Sequence, residues 1–137
     1  MTTMIANSRL VSESTFESRL LDNSPTYDLH NFVNGKPLAQ EILMRVIACR
    51  PFSIPADCAG SFAFCSIAAT NAFQISILKN GVIVGAINYP VNSLAGTFSM
   101  GSSLTLNIGD QLALRCTPAA QDPTISDLTI AIKGTAF

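Results

Sequence analysis

The sequence predicts an all-β protein: a two-sheet β-sandwich of jelly-roll-like topology, preceded by an extended N-terminal arm. From Pro37 onward, short runs of β-branched, aromatic and other apolar residues recur at the spacing of about 8–12 residues that is typical of sandwiches and barrels. Gly, Pro, Asn and Asp, the usual turn residues, separate these runs. Helical periodicity is nearly absent in the same region, so we expect about eight short strands.

The clearest local signal is the Asn80-Gly81 dipeptide, which lies between two β-patterned runs, 73–79 and 82–88. Both central residues of a type I′ turn need positive φ, and Asn-Gly supplies this at little cost. The dipeptide therefore predicts a two-residue hairpin, in which Lys79 faces Val82 and Ile77 lies opposite Val84. Further strands are predicted over 42–49, 61–68, 111–117 and 126–133.

The chain is poor in charge for a soluble domain. Its 137 residues allow one domain, and only 12% of them are charged, against about 25% in an ordinary domain. Apolar residues reach 48%, yet no run approaches the ~18 uninterrupted apolar residues that a membrane-spanning helix needs. Because little repulsion opposes contact between such chains, the composition favours an oligomer or a lattice. A monomer with a neutral polar surface is the alternative.

The first 36 residues are expected to form the arm, and residues 37–137 the sandwich. Ser14 and Glu17 match a capping box, which predicts a short helix over 15–21 that is too short to be stable alone. The apolar side chains of this region would be costly to leave exposed. We therefore expect an arm that contacts a neighbouring subunit, with a disordered tail as the alternative. The expected interface residues are Phe16, Leu20, Leu21, Tyr27, Leu29 and Phe32.

No catalytic, metal-binding or cofactor-binding residues are predicted. The single histidine, His30, lies in the loosely patterned N-terminal region, where it would be hard to hold against a nucleophile. The acidic residues after residue 50 lie beside turn residues, and turn hydrogen bonding is sufficient to explain them. They are Asp57, Asp110, Asp122 and Asp127. No glycine loop precedes a helix that could bind a phosphate, so we expect a protein that is not an enzyme.

The four cysteines permit two disulfides in three connectivities. Their spacing does not match a paired-thiolate metal site. Cys49, Cys65 and Cys116 lie in apolar, strand-like runs, where a free thiol behaves as a small buried apolar group. Cys58 lies in a predicted turn. We therefore expect free thiols that take part in packing.

The distribution of charge also argues against nucleic acid as a partner. The eight Lys and Arg residues are spread singly along a chain whose net charge is −1. No run or stripe of them could neutralise a row of phosphates. With no Trp and only two Tyr, the chain is also poorly supplied with rings on which bases or sugars could stack.

Five segments of the chain form a recognisable set: Arg50–Pro55, Gly60–Ala63, Phe73–Gly81, Ile108–Leu112 and Asp122–Thr135. Together they resemble a β-module common in structural proteins of tailed bacteriophages and prophages. The resemblance covers residues 43–135, and as a whole the chain is similar to the small jelly-roll cement, or decoration, proteins of phage capsids.

The resemblance implies a non-enzymatic virion protein on the capsid exterior. Such a protein would bind the outer capsid surface and stabilise contacts between subunits of the major capsid protein. Its partners would be that protein and copies of itself, as a homodimer or homotrimer, with no role for nucleic acid or membrane. The same module occurs in tail and fibre proteins, so a receptor-binding or adaptor role is the alternative. The first residues show neither the basic nor the apolar segment typical of a secretory leader, so we expect synthesis in the host bacterial cytoplasm.

Overall fold

The computed structural model describes residues 25–117 and 124–137, and these two ranges form an all-β fold. Within them lie eleven strands and one short 3₁₀ turn, Ala56–Cys58. The strands are β1 (Leu29–Val33), β2 (Ile42–Ile47), β3 (Phe52–Ile54), β4 (Phe62–Ile67), β5 (Phe73–Lys79), β6 (Val82–Tyr89), β7 (Thr97–Ser99), β8 (Leu104–Leu106), β9 (Gln111–Cys116), β10 (Ser126–Ile132) and β11 (Thr135–Ala136).

The strands build two layers. One is a five-stranded sheet in the order β2-β9-β5-β6-β7, and the other consists of two three-stranded sheets, β1-β10-β4 and β11-β3-β8. The chain passes repeatedly from one sheet to another, as from β1 to β2 and from β9 to β10, which is the pattern of a jelly roll. The expected fold class is therefore confirmed. In the part of the chain that the structure describes, no helix is long and apolar enough to cross a membrane.

The core lies between the layers and follows from the two-residue period of the strands. On β9, Leu112 and Leu114 point inward and are fully buried; on β10, Leu128 and Ile130 do the same from the opposite layer. All four belong to one apolar cluster. Burial of each such side chain contributes roughly 1.5–3 kcal/mol to the stability of the folded state.

The β5–β6 hairpin forms at Asn80-Gly81, but its register contains a bulge. Lys79 lies opposite Val82 as expected, whereas Ile77 lies opposite Gly85 and not Val84. The register predicted for Ile77 is therefore wrong by one residue, because Val84 is an extra residue on β6 that a two-residue periodicity cannot show. Strand β7 lies close to β6 at Gly85, where a Cβ would lie 2.8 Å from the carbonyl oxygen of Ser99.

Strand β1 belongs to the sandwich, although the sequence placed its residues in the arm. It pairs with β10 along its whole length, from Leu29 opposite Ile132 to Val33 opposite Leu128. Before it, the Tyr27 N–H donates to the carbonyl oxygen of Gly134 at 3.0 Å. The expected boundary at residue 37 thus falls after the first strand. The helix expected over 15–21 lies outside the described residues.

Candidate interaction surface

Three exposed phenylalanines share the outer face of the β1-β10-β4 sheet. Phe32 lies opposite Thr129, and Thr129 lies opposite Phe64, so these three residues form one row across the sheet. Phe62 lies in the next row, opposite Ala131. The exposed fractions of Phe32, Phe62 and Phe64 are 59%, 60% and 48%, and the rings of Phe62 and Phe64 are 6.0 Å apart. We call this group, which consists of Phe32, Phe62, Phe64, Thr129 and Ala131, the aromatic face.

The aromatic face carries no Asp, Glu, Lys or Arg. Asp127 and Lys133 flank it at the two ends of β10, and the outward positions between them hold the five residues of the face together with His30 and Ser66. Together the three phenylalanines expose about 300 Å² of mostly aromatic surface. Removing this surface from water requires no desolvation of a formal charge. The face therefore has the chemical character of the centre of a protein–protein interface.

The structure places the expected interface residues in different environments. Phe32 is exposed and belongs to the aromatic face. Tyr27 stacks on Phe52 of the same chain, with ring centroids 3.9 Å apart and planes within 5°, and Leu29 packs partly buried against the core. Both side chains thus contact the chain's own sandwich. Phe16, Leu20 and Leu21 lie outside the described residues.

Phe62 and Phe64 were not among the expected interface residues. Both faces of the predicted strand 61–68 are apolar, with Phe62 and Phe64 on one and Ala63 and Cys65 on the other. Alternation alone cannot show which of two apolar faces is turned inward. Size gives no signal either, because phenylalanine is among the residues most often buried.

Two of the aspartates make hydrogen bonds with the backbone of residues far away in the sequence. The Asp57 N–H donates to the Met100 carbonyl oxygen, and the Met100 N–H donates to Asp57 Oδ1, both at 2.8 Å. Asp127 makes the same reciprocal pair with Gly35, at 3.0 and 2.8 Å. Asp127 lies inside β10, within the strand predicted over 126–133, and its hydrogen bonds join it to Gly35 and not to a local turn. Both residues have positive φ, and these bonds fix bends in the chain.

The single histidine and the remaining acidic residues are also candidate site residues. His30 is exposed on β1, and Asp122 lies outside the described residues. Among residues 25–117 and 124–137, no group of three or more His, Cys, Asp or Glu side chains could hold a metal ion. The acids that are described there make hydrogen bonds to backbone and to neighbouring side chains.

Asp110 caps the turn before β9. Its carboxylate accepts hydrogen bonds from the Asn107 N–H at 2.8 Å and from Asn80 Nδ2 at 3.1 Å, and Lys79 Nζ lies 3.7 Å away. The hydrogen bond from Asn107, and to a smaller extent the one from Asn80, holds the pKa of Asp110 below its ordinary value of 3.8. The ionised form is thus favoured by folding.

Asp110→Asn should reduce stability at neutral pH, with the deficit shrinking in acid. Because folding lowers the pKa of Asp110, its ionised carboxylate stabilises the folded state above pH 3.8. This stabilisation is lost as the pH falls through the pKa that Asp110 has in the folded protein. Urea unfolding of both proteins between pH 2 and pH 7 measures this. A difference that stays constant over the whole range would contradict the assignment.

The four cysteines are free, and three are buried. Burial raises the pKa of Cys58 to about 11 and that of Cys116 to about 12, and it raises the pKa of Cys65 as well. Buried free thiols were expected and are confirmed for Cys65 and Cys116. The expectation was wrong for Cys49, which is exposed because β2 ends at Ile47 and the chain then bends away.

Iodoacetamide should label one cysteine in the folded protein and all four in urea. Only the thiolate reacts, so burial and raised pKa values protect Cys58, Cys65 and Cys116, while Cys49 is open to the reagent. Intact-protein mass spectrometry counts the labels, and Cys49→Ser serves as the control that should remain unlabelled when folded. Rapid labelling at any second site would show that the core thiols are accessible.

Comparison with known proteins does not place the chain in a family. The sequence matches no protein-family model and no curated protein. The role of the protein must therefore be argued from its own residues, above all from the aromatic face and the scarcity of charge.

Proposed function

We propose that this protein is a bacteriophage capsid cement, or decoration, protein that binds the outer capsid surface and stabilises contacts between major capsid protein subunits. The observation that carries the proposal is the aromatic face, an uncharged patch of three half-exposed rings on a regular sheet. Such a patch supports binding to another protein surface. The capsid as the partner comes from the resemblance of residues 43–135 to phage structural modules.

The side-chain chemistry supports a structural role. Asp57, Asp110 and Asp127 are each engaged in hydrogen bonds that hold the chain's own backbone. His30, which an acid–base mechanism would need at a rigid site, lies exposed on the outside of a sheet. The three aspartates stabilise the scaffold that presents the aromatic face.

The scarcity of charge suits repeated binding over a shell. With a net charge of −1, neighbouring copies would repel each other little when they lie side by side. Contacts of modest strength, repeated many times on one lattice, add up through multivalency. Copies of this chain are therefore proposed as partners alongside the major capsid protein, as a homodimer or a homotrimer.

The copy number in purified particles tests the location. A cement protein is expected in hundreds of copies per virion, whereas a tail or fibre adaptor, the alternative role of the resembling module, is expected in a few to a few dozen. Quantitative mass spectrometry against the major capsid protein provides the number. Absence of the protein from purified particles would overturn both roles.

The proposed arm contact needs a truncation that spares the sandwich. Deleting residues 1–34 would remove β1 and its pairing with β10, so the deletion should end at residue 24. We expect the shortened protein to fold and to decorate capsids at lower occupancy, because Phe16, Leu20 and Leu21 are lost. The thermal unfolding midpoint checks the fold, and the amount that co-sediments with capsids checks binding. Full occupancy would show that residues 1–24 are not an anchor.

A further inference from the structure

The outer face of the five-stranded sheet has a separate feature, a cavity of about 190 Å³ lined by two arginines, Arg45 and Arg115. We propose that this cavity binds a carboxylate group, presented by an acidic side chain of a partner protein. The carboxylate site follows from the geometry of this sheet. The partner protein as the source of the carboxylate rests on the proposed function.

The register of β2 and β9 brings the two guanidinium groups to one place. Arg45 lies opposite Ala113 and Arg115 lies opposite Ile42, with a bulge between Ile42 and Met44, so the two arginines are diagonal neighbours, about 7–8 Å apart. Ala113 lies between them and leaves space because its side chain is short. Leu78, which is 3% exposed although it lies on the outward side of β5, belongs to the same lining.

The charges of these arginines are not balanced within the described residues. The ion pair found there joins Lys79 to Asp110. Glu41 is next in sequence to the lining residue Ile42, but its Oε1 accepts a hydrogen bond from the Leu38 N–H at 2.7 Å. Like charges on neighbouring strands repel each other. A carboxylate between them would remove this repulsion and could accept paired hydrogen bonds from the planar guanidinium groups.

An adjoining cavity favours a polypeptide as the carrier of the carboxylate. Arg115 also lines a wider hollow of about 600 Å³, together with Gln74, Ser76 and Gly85. A free small acid would fill only the smaller cavity. A segment of a partner chain could place its acidic side chain between the arginines while its backbone lies over the amide, hydroxyl and glycine positions of the hollow.

Peptide binding tests the site directly. The probes are hexaglutamate, hexaglutamine and glutarate, titrated calorimetrically into the full-length protein at 150 mM salt. We expect hexaglutamate to bind and hexaglutamine not to bind. Arg115→Gln and, separately, Arg45→Gln should each weaken hexaglutamate binding about tenfold or more. Arg50→Gln, which removes an exposed cation away from the cavity, should leave it unchanged.

Two results would overturn the proposal: equal affinity of the wild type and both cavity variants, or an equal loss in Arg50→Gln, which would indicate attraction to positive charge in general. Arg45 is exposed, so its replacement should not disturb folding. Arg45→Gln therefore tests the carboxylate site even if Arg115→Gln does not fold. Glutarate binding as tight as hexaglutamate, with the same arginine dependence, would keep the carboxylate site and assign it to a small acid. The copy number in virions is measured independently, so a failure here is distinguishable from a failure of the proposed function.

Discussion

Replacing Phe62 and Phe64 together with serine should abolish binding to capsids while leaving the sandwich folded. The two rings are 60% and 48% exposed, so the folded state loses little packing when they are removed. At the centre of an interface, truncating an aromatic side chain costs about 2 kcal/mol or more, which is roughly a thirtyfold loss of affinity for each residue. Co-sedimentation of the variant with undecorated capsids measures the effect.

The matched control for this experiment is the double substitution Val82→Ser and Ile108→Ser. These side chains are 65% and 70% exposed, but they line neither cavity of the five-stranded sheet and lie outside the aromatic face. The control should therefore bind capsids like the wild type, and circular dichroism should show all three proteins folded. Full binding by the phenylalanine variant, or an equal loss in the control, would remove the aromatic face from the proposed interface.

Gly134→Ala should lower the free energy of unfolding by roughly 2–4 kcal/mol. A Cβ at this position would lie 2.6 Å from the carbonyl oxygen of Tyr27 and 3.2 Å from that of Ser53. Both obstacles are backbone atoms, which cannot rotate away as a side chain can. The Gly134 carbonyl oxygen also accepts the hydrogen bond from the Tyr27 N–H, so relief of the clash would pull the segment before β1 away from β3.

Gly101→Ala provides the comparison for that result. No atom lies within 4 Å of a Cβ at position 101, and the residue does not have positive φ. Its replacement should change stability by less than about 1 kcal/mol. Urea unfolding of both variants decides the point: similar losses in the two would mean that the close approach at Gly134 is not limiting.

The two proposed binding features lie on opposite layers of the sandwich. The aromatic face is on the β1-β10-β4 sheet, and the arginine cavity is on the five-stranded sheet. A cement protein has to touch at least two neighbours to hold them together. One apolar surface and one charged surface on different sides would let a single domain do this, with each surface selecting a different partner group.

Much of the strand content could be read from local patterns. The hairpin at Asn80-Gly81 was predictable because positive φ in a two-residue turn is a local requirement. The strands at 111–116 and 126–132 were predictable because Leu112 and Leu114, like Leu128 and Ile130, alternate with smaller or polar residues. The bulge at Val84 could not be predicted in this way, because it depends on how β6 packs beside its neighbours.

The sequence by itself determined an all-β chain that is poor in charge, with its turns at the glycine, proline and asparagine positions. Only the tertiary structure decided that β1 joins the sandwich, that Phe62 and Phe64 face outward, and that Arg45 and Arg115 share a cavity. The physical reason is that alternation specifies two faces without saying which one is buried. Pairing between residues a hundred positions apart, such as Leu29 and Ile132, depends on the whole fold.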